Sequence, residues 1–109
     1  MQQTIADIFM AKMRQGLTEY GGPVTIDLRE NGLDFYAVLT QDAPLRFSCR
    51  GLCYEASNRG EYTMKAADGT QITIDEKEYR GRLDYALSCI GAASVEGVGT
   101  LAKKHLKPL

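Results

Sequence analysis

The sequence lacks an excess of charge of either sign and lacks any long apolar run. Lys and Arg number 13 against 14 Asp and Glu, so the net charge of −1 gives no overall attraction to nucleic acid or to an anionic membrane. The apolar runs are far shorter than the roughly 20 residues that a membrane-spanning helix needs. We therefore expect a protein that does not cross a membrane and does not bind nucleic acid through its net charge.

Cysteine is also scarce. The three cysteines are an odd number, so they cannot form a fully paired disulfide framework, and a chain of 109 residues can build a core without one. Free thiols are typical of a reducing compartment. The first residues lack the basic start of a signal peptide, and Asp7 interrupts the place of its apolar segment. These features predict a cytoplasmic protein.

Motifs of catalysis and cofactor binding are missing as well. There is no Walker motif, no H-E-x-x-H pair, no EF-hand loop and no glycine-rich loop between a strand and a helix. Asp75, Glu76 and Glu78 form an acidic cluster, but they begin a predicted helix, where the helix dipole accounts for them. We expect no cofactor and no pair of catalytic carboxylates.

The thiols and the single histidine are the remaining candidates for chemistry. Cys49, Cys53, Cys89 and His105 could be written as a zinc set, but Cys49 and Cys53 lack the C-x2-C spacing usual for zinc pairs. We interpret them as buried structural thiols and a core histidine. Cys53 with His105 could form a nucleophilic pair, but only Arg50 is near enough in sequence to lower the thiol pKa. An enzyme built on them is the least favoured alternative, and we expect no catalytic residue and no metal.

What is present is a strong hairpin signal. Two alternating runs, 24–30 and 33–39, flank Asn31-Gly32, a dipeptide that favours a two-residue type I′ turn. That turn fixes a register in which the apolar residues of both strands share one face. The predicted pairs on that face are Val24 with Leu39, Ile26 with Ala37 and Leu28 with Phe35.

A helix is predicted before this hairpin, from Thr4 to Gln15. Thr4 and Asp7 have the spacing of a capping box, and apolar residues follow at helical intervals. Gly16 is a typical residue to end a helix.

Further strands are predicted after the hairpin. Residues 45–50 alternate, and a five-residue connection pairs Phe47 with Ala37 and Cys49 with Phe35. Gly51 is expected to form a bulge before the run 52–56. A second hairpin joins 61–66 to 70–74, and we expect a three-residue loop with Gly69 in the left-handed conformation, because this pairs Met64 with Ile72.

Two helices are predicted to close the chain. Asp75 begins the first, which ends at Gly91, and Ser94 caps the second, which ends at Pro108. The whole pattern predicts a single α+β domain over residues 1–109. It has an N-terminal helix, an antiparallel meander of about five strands and two C-terminal helices packed on one sheet face.

The other face of the sheet is the one surface that the sequence indicates as a candidate binding site. The deduced registers align Arg29 with Asp34 and Arg50, and they place Tyr36 and Val38 among Arg46 and short polar residues. We expect Tyr36 and Val38 to be exposed there. Tyr and Arg are enriched at the centres of protein interfaces. The predicted binding residues are Tyr36, Val38, Arg46, Arg50, Arg29 and Asp34.

These features favour a small non-enzymatic binding protein that docks on another protein. An inhibitor or adaptor fits, for example a phage anti-defence or toxin-neutralising protein. A nucleic-acid-binding module using the same face is the main alternative, although Asp27 and Asp34 oppose it. Self-association into a homodimer, through the last helix or a strand edge, is left open.

Overall fold

The computed structural model describes residues 3–109, which form an α+β fold with one seven-stranded antiparallel sheet and three helices. The helices are α1 (Ile5–Tyr20), α2 (Glu76–Cys89) and α3 (Val95–His105). The strands are β1 (Val24–Asp27), β2 (Phe35–Leu39), β3 (Arg46–Cys49), β4 (Leu52–Ala56), β5 (Tyr62–Lys65), β6 (Gln71–Ile74) and β7 (Lys107–Pro108). The predicted fold class is confirmed, with more strands than the expected five.

The sheet is a meander with one added strand at its end. The order is β6-β5-β4-β3-β2-β1-β7, so each strand up to β6 pairs with its neighbour in sequence. The registers predicted for β1–β2, β2–β3 and β5–β6 are confirmed. The short strand β7 pairs with β1, although its residues were predicted to belong to the last helix. A strand of two residues is too short to show the alternating pattern that predicts strands.

The turn predicted at Asn31-Gly32 is wrong, although the register that it was used to derive is correct. Residues Arg29–Asn31 form a 3-10 turn, and Gly32, which follows it, has a positive φ of 80°, whereas Asn31 does not have a positive φ. The N–H groups of Gly32 and Leu33 donate to the carbonyls of Arg29 and Leu28, the arrangement that commonly ends a helix. The pairing survives because the Leu28 N–H donates to the Phe35 carbonyl at 3.0 Å.

A two-residue hairpin turn occurs instead at Arg50-Gly51. Both residues have positive φ, 55° and 77°, which is the requirement of a type I′ turn, and Cys49 pairs with Leu52 across it. The bulge predicted at Gly51 is therefore wrong, and β3 and β4 are two strands. The bulge was expected from Gly51 alone, whereas the turn also needs a positive φ at Arg50, which arginine rarely adopts.

Capping signals at the helix starts are confirmed, whereas the predicted end of α1 is wrong. The Thr4 hydroxyl accepts the Asp7 N–H, and Asp75 and Ser94 cap α2 and α3 in the same way. The first helix continues past Gly16 and ends at Tyr20, and Gly21 caps it with a φ of 69°. Gly16 is buried because the Leu106 side chain packs where a Cβ would be.

All three helices lie on one side of the sheet. The core between them contains inward side chains of every helix and of most strands, with Phe9, Phe35 and Phe47 among the largest that are fully buried. Phe9 meets Phe35 edge to face at 6.0 Å, and this contact fixes α1 against the middle of the sheet. None of the helices within residues 3–109 is long and apolar enough to cross a membrane.

Candidate functional site

The side of the sheet away from the helices is called the outer face here. Alternation along each strand assigns its residues, and the confirmed registers align them in two rows that run across the strands. One row contains Lys107, Thr25, Val38, Arg46, Glu55 and Thr63. The other contains Asp27, Tyr36, Ser48, Cys53 and Lys65. The face is polar and carries charges of both signs.

Tyr36 lies in a fixed cluster at one end of this face. The Arg29 guanidinium carbon lies 4.3 Å from the centre of the Tyr36 ring, a cation–π contact. The Arg29 Nε and Nη2 donate to the two carboxylate oxygens of Asp27 at 2.9 and 2.7 Å. These hydrogen bonds hold the pKa of Asp27 at about 2, well below its usual range. Tyr36 is half-buried, with Arg29 over its ring.

Val38 is not exposed as expected, since only 3% of its surface is accessible. It lies between Thr25 and Arg46, which pair with it from the neighbouring strands. It also lines a cavity of about 150 Å³ with Ala43 and Pro44 of the loop before β3. The flanking side chains and this loop cover Val38, so it supports the outer face from within and offers no contact area of its own.

The three predicted arginines have different partners. Arg46 is exposed on the outer face, and its Nη1 lies 3.8 Å from Glu55 Oε1. Arg50 turns away toward the helix layer, because its left-handed backbone belongs to the turn, and its Nη1 donates to the Tyr85 hydroxyl at 2.6 Å. The structure therefore brings Arg29 to Tyr36 but separates Arg50 from both.

Asp34 is exposed in the loop before β2. The row predicted for it with Arg29 and Arg50 is not formed by direct contacts, because Arg29 bonds to Asp27 and Arg50 bonds to Tyr85. The Arg29–Asp27 pair is local, two residues apart, and it could have been expected from the sequence. The Arg50–Tyr85 pair joins residues far apart in the chain and had no sequence signal.

The thiols lie in settings that oppose nucleophilic chemistry. Cys49 is buried, as predicted, and burial raises the pKa of its thiol. Burial also raises the pKa of the Cys53 thiol, and the nearby Glu55 carboxylate adds to the effect. Cys53 belongs to the outer face, whereas His105 is half-buried beside a cleft lined by Leu28 and Leu101 in the helix layer. The sheet thus lies between Cys53 and His105.

The described residues also contain no obvious metal site. Among residues 3–109, no three Cys, His, Asp or Glu side chains converge in a way that could hold a metal ion. Cys89 is exposed at the end of α2, so the prediction of a buried thiol is wrong there, and Cys49 and Cys53 point to opposite sides of the sheet. The fold therefore does not bring together Cys49, Cys53, Cys89 and His105, the zinc set that the sequence allows.

A cleft with a volume of about 440 Å³, which was not predicted from the sequence, lies between α1, α2 and the loop before β3. Its apolar lining includes Met10, Met13 and Leu17, and Arg14 and Arg80 lie at its rim. Arg80 is already paired with Asp7 and with Glu76. The signal that could have revealed the cleft is the apolar spacing of α1, which continues through Leu17 past the predicted end at Gly16.

Tyr79 forms the most buried polar contact in this cleft. Its hydroxyl donates to the Leu45 carbonyl, and burial raises its pKa well above the usual range. Tyr62 packs beside it, with ring centres 4.9 Å apart. The Tyr79 hydroxyl thus has a structural hydrogen bond in this cleft.

Comparisons of the chain with protein-family models, with curated proteins and with solved structures gave no significant match. Function must therefore be argued from the residues themselves, and the outer face and its arginines are the features on which that argument depends.

Proposed function

We propose that this chain is a small non-enzymatic binding protein that docks on another protein through its outer face, as an inhibitor or adaptor. A phage anti-defence or toxin-neutralising protein is the usage that we favour. The contact residues are Arg29, Tyr36 and Arg46, named the docking patch below, with Asp34 at its margin. Val38 supports the patch from beneath, and Arg50 is assigned to the turn and to Tyr85.

The observation that carries this proposal is the Asp27–Arg29–Tyr36 cluster on a sheet face that no helix within residues 3–109 covers. Arg29 is held by two hydrogen bonds and by the Tyr36 ring before any partner arrives. Ordering a flexible side chain at an interface costs about 0.5–1.5 kcal/mol, so a preformed cluster reduces the cost of binding. A tyrosine and an arginine presented together are typical of interface centres.

The charges of the outer face favour a protein over a nucleic acid. Arg29 and Arg46 are positive, but each lies beside a carboxylate, Asp27 or Glu55. A polyanion would meet these carboxylates wherever it meets the arginines, whereas a protein surface of mixed charge can complement both signs. We therefore propose a protein partner and keep nucleic acid as an outcome of the test.

The experiment is affinity capture of the tagged, full chain in lysate from candidate host bacteria, with and without nuclease. The proposal predicts one stoichiometric protein partner that survives nuclease. Tyr36→Ala and Arg46→Glu should each abolish its capture, while Glu19→Ala, an exposed change on α1, should not. Far-UV circular dichroism checks that each variant is folded.

Two results would overturn the proposal. Loss of every partner after nuclease, with affinity for a single-stranded or duplex probe that falls steeply with added salt, would assign the face to nucleic acid. Undiminished capture by both folded patch variants would show that the partner binds elsewhere.

A further inference from the structure

The two edges of the sheet differ in how they are protected. Strand β7 has only two residues, and one of them is Pro108, which has no N–H to offer a further strand. Strand β6 is twice as long and contains no proline, lysine or other charged residue. Gln71, Ile72 and Thr73 are all exposed, and 46% of the Ile72 surface is accessible. The β6 edge therefore lacks the usual defences of an exposed strand.

The hydrogen-bond pattern identifies the free backbone groups of β6. The Ala66 N–H donates to the Thr70 carbonyl at 2.9 Å, so Thr70 bonds toward β5. In an antiparallel pair the direction alternates along the strand, so Ile72 and Ile74 also bond toward β5. The N–H and C=O groups of Gln71 and Thr73 therefore point away from the sheet. These two N–H and two C=O groups could form four hydrogen bonds with an added strand.

The side chains around this edge set the chemistry of an added strand. Ile72 lies on the helix-covered side of the sheet and is only partly covered, so an apolar residue next to it would bury its exposed surface. Acidic residues mark both ends of β6, with Asp68 before it and Asp75 after it. Hydrogen bonding from the Thr70 N–H lowers the pKa of Asp68, so this carboxylate is charged at neutral pH.

A second copy of the chain fits this edge poorly. If two β6 strands paired antiparallel with Ile72 opposite Ile72, Gly69 of one copy would face Asp75 of the other. Asp68 of the first copy would then lie beside Asp75 of the second, and both carboxylates are negative. Opposed like charges on neighbouring strands are destabilising. The acidic ends instead complement a strand with basic residues at its ends.

We propose that the β6 edge binds an extended segment of a partner protein by strand addition, with an apolar residue beside Ile72 and basic residues near Asp68 and Asp75. This mode of recognition uses main-chain hydrogen bonds for affinity and side-chain contacts for selection. The inference is independent of the docking patch, because β6 lies four strands away from β2 in the sheet.

The test is a fluorescence-anisotropy titration of the full chain with a labelled short peptide of alternating threonine and valine and a lysine at each end. A lysine then meets an acidic group whichever way the peptide runs. We expect saturable binding below about 1 mM. The same peptide with glutamate at both ends, or with N-methyl groups on its backbone amides, should bind about tenfold more weakly or not at all.

The protein-side variant is Thr73→Pro, matched by Thr73→Ala. Proline removes an N–H that β5 does not use, and edge strands tolerate proline where the N–H faces solvent. We expect about tenfold weaker binding for Thr73→Pro and a change within about twofold for Thr73→Ala. Tyr36→Ala should bind the peptide as the wild type does. The peptide assay therefore tests the β6 edge even if the capture experiment rules out the docking patch.

Three outcomes of the peptide titration would overturn the inference. They are no saturable binding of the lysine peptide, equal binding of the N-methylated peptide, and equal binding by a folded Thr73→Pro variant. A concentration-dependent dimer that Thr73→Pro abolishes, detected by analytical ultracentrifugation, would assign the edge to a second copy and likewise overturn it. Should Thr73→Pro not fold, the N-methylated peptide decides, because it leaves the protein unchanged.

Discussion

At the scale of single residues, one buried hydrogen bond holds the helix layer to the sheet. Tyr79 of α2 is 3% exposed, and its hydroxyl donates to the carbonyl of Leu45, next to β3. Its ring also packs edge to face on Phe47, with centres 5.4 Å apart. If a buried carbonyl loses its hydrogen-bond donor, the folded state is destabilised by the full desolvation free energy of that carbonyl.

Tyr79→Phe keeps the ring contacts and leaves the Leu45 carbonyl without this donor. We expect the free energy of unfolding to fall by about 1–3 kcal/mol, measured by urea denaturation. The matched control is Tyr62→Phe in the adjacent ring, whose hydroxyl has no hydrogen-bond partner among residues 3–109. A Tyr79→Phe variant as stable as the Tyr62→Phe control would contradict this account.

Arg50 is the one described residue other than glycine with a positive φ. A left-handed backbone costs an ordinary residue about 1 kcal/mol, whereas asparagine adopts it more readily. Arg50 also donates to Tyr85, so the two effects must be separated.

Arg50→Asn in a Tyr85→Ala background isolates the backbone effect, because both the hydroxyl and the ring that Arg50 contacts are already gone. We expect this change to raise the free energy of unfolding by about 0.5–1 kcal/mol. Arg46→Asn is the control, since Arg46 lies in a strand, where asparagine is disfavoured, and it should lower stability. An equal or lower stability for Arg50→Asn would show that the turn is not strained.

At the scale of elements, local capping chemistry was predictable and tertiary choices were not. Thr4 and Asp75 cap their helices as predicted, because a cap depends only on residues within one turn. Asn31-Gly32 has stronger turn propensity than Arg50-Gly51, yet only the second forms the two-residue turn. In the first loop the Asp27 carboxylate accepts the Arg29 N–H at 3.0 Å and helps to form a 3-10 turn instead.

Gly16 shows the same limit. A glycine at this position predicts a helix end. In the fold, the absence of a side chain at Gly16 leaves room for Leu106 to pack on α1, and Leu106 directly follows α3. That contact joins residues at opposite ends of the sequence, so no local window contains it. Strand β7 follows directly and adds to β1, and the Leu109 N–H donates to the Pro23 carbonyl at 2.9 Å.

Gly16→Leu should therefore displace Leu106 and loosen the C-terminal segment from α1. We expect a loss of about 2–3 kcal/mol in the free energy of unfolding, with faster amide exchange in α3 and β7 than in α2. Gly81→Leu is the matched control, because Gly81 is an exposed position of α2 with open space around it, and leucine favours a helix over glycine. A Gly16→Leu protein with unchanged exchange in α3 would contradict the proposed packing role.

At the scale of the whole molecule, alternation and loop length predicted the sheet far better than they predicted its surface. The registers of β1 to β3 follow from period-two burial, which a one-residue slip would reverse. The same logic placed Val38 on the outer face correctly but could not anticipate that its neighbours and the loop 40–44 cover it. Arg50 likewise left the face because of its turn. The proposed docking patch therefore has fewer residues than the predicted one.

The central claim is that a protein partner binds the outer face through Tyr36 and its arginines. The most direct test is isothermal titration calorimetry of the captured partner against wild-type chain, Tyr36→Ala and Glu19→Ala. The account predicts that Tyr36→Ala weakens binding by about thirtyfold or more, as expected for a residue at the centre of an interface, while Glu19→Ala matches the wild type. A folded Tyr36→Ala protein that binds with wild-type affinity would contradict it.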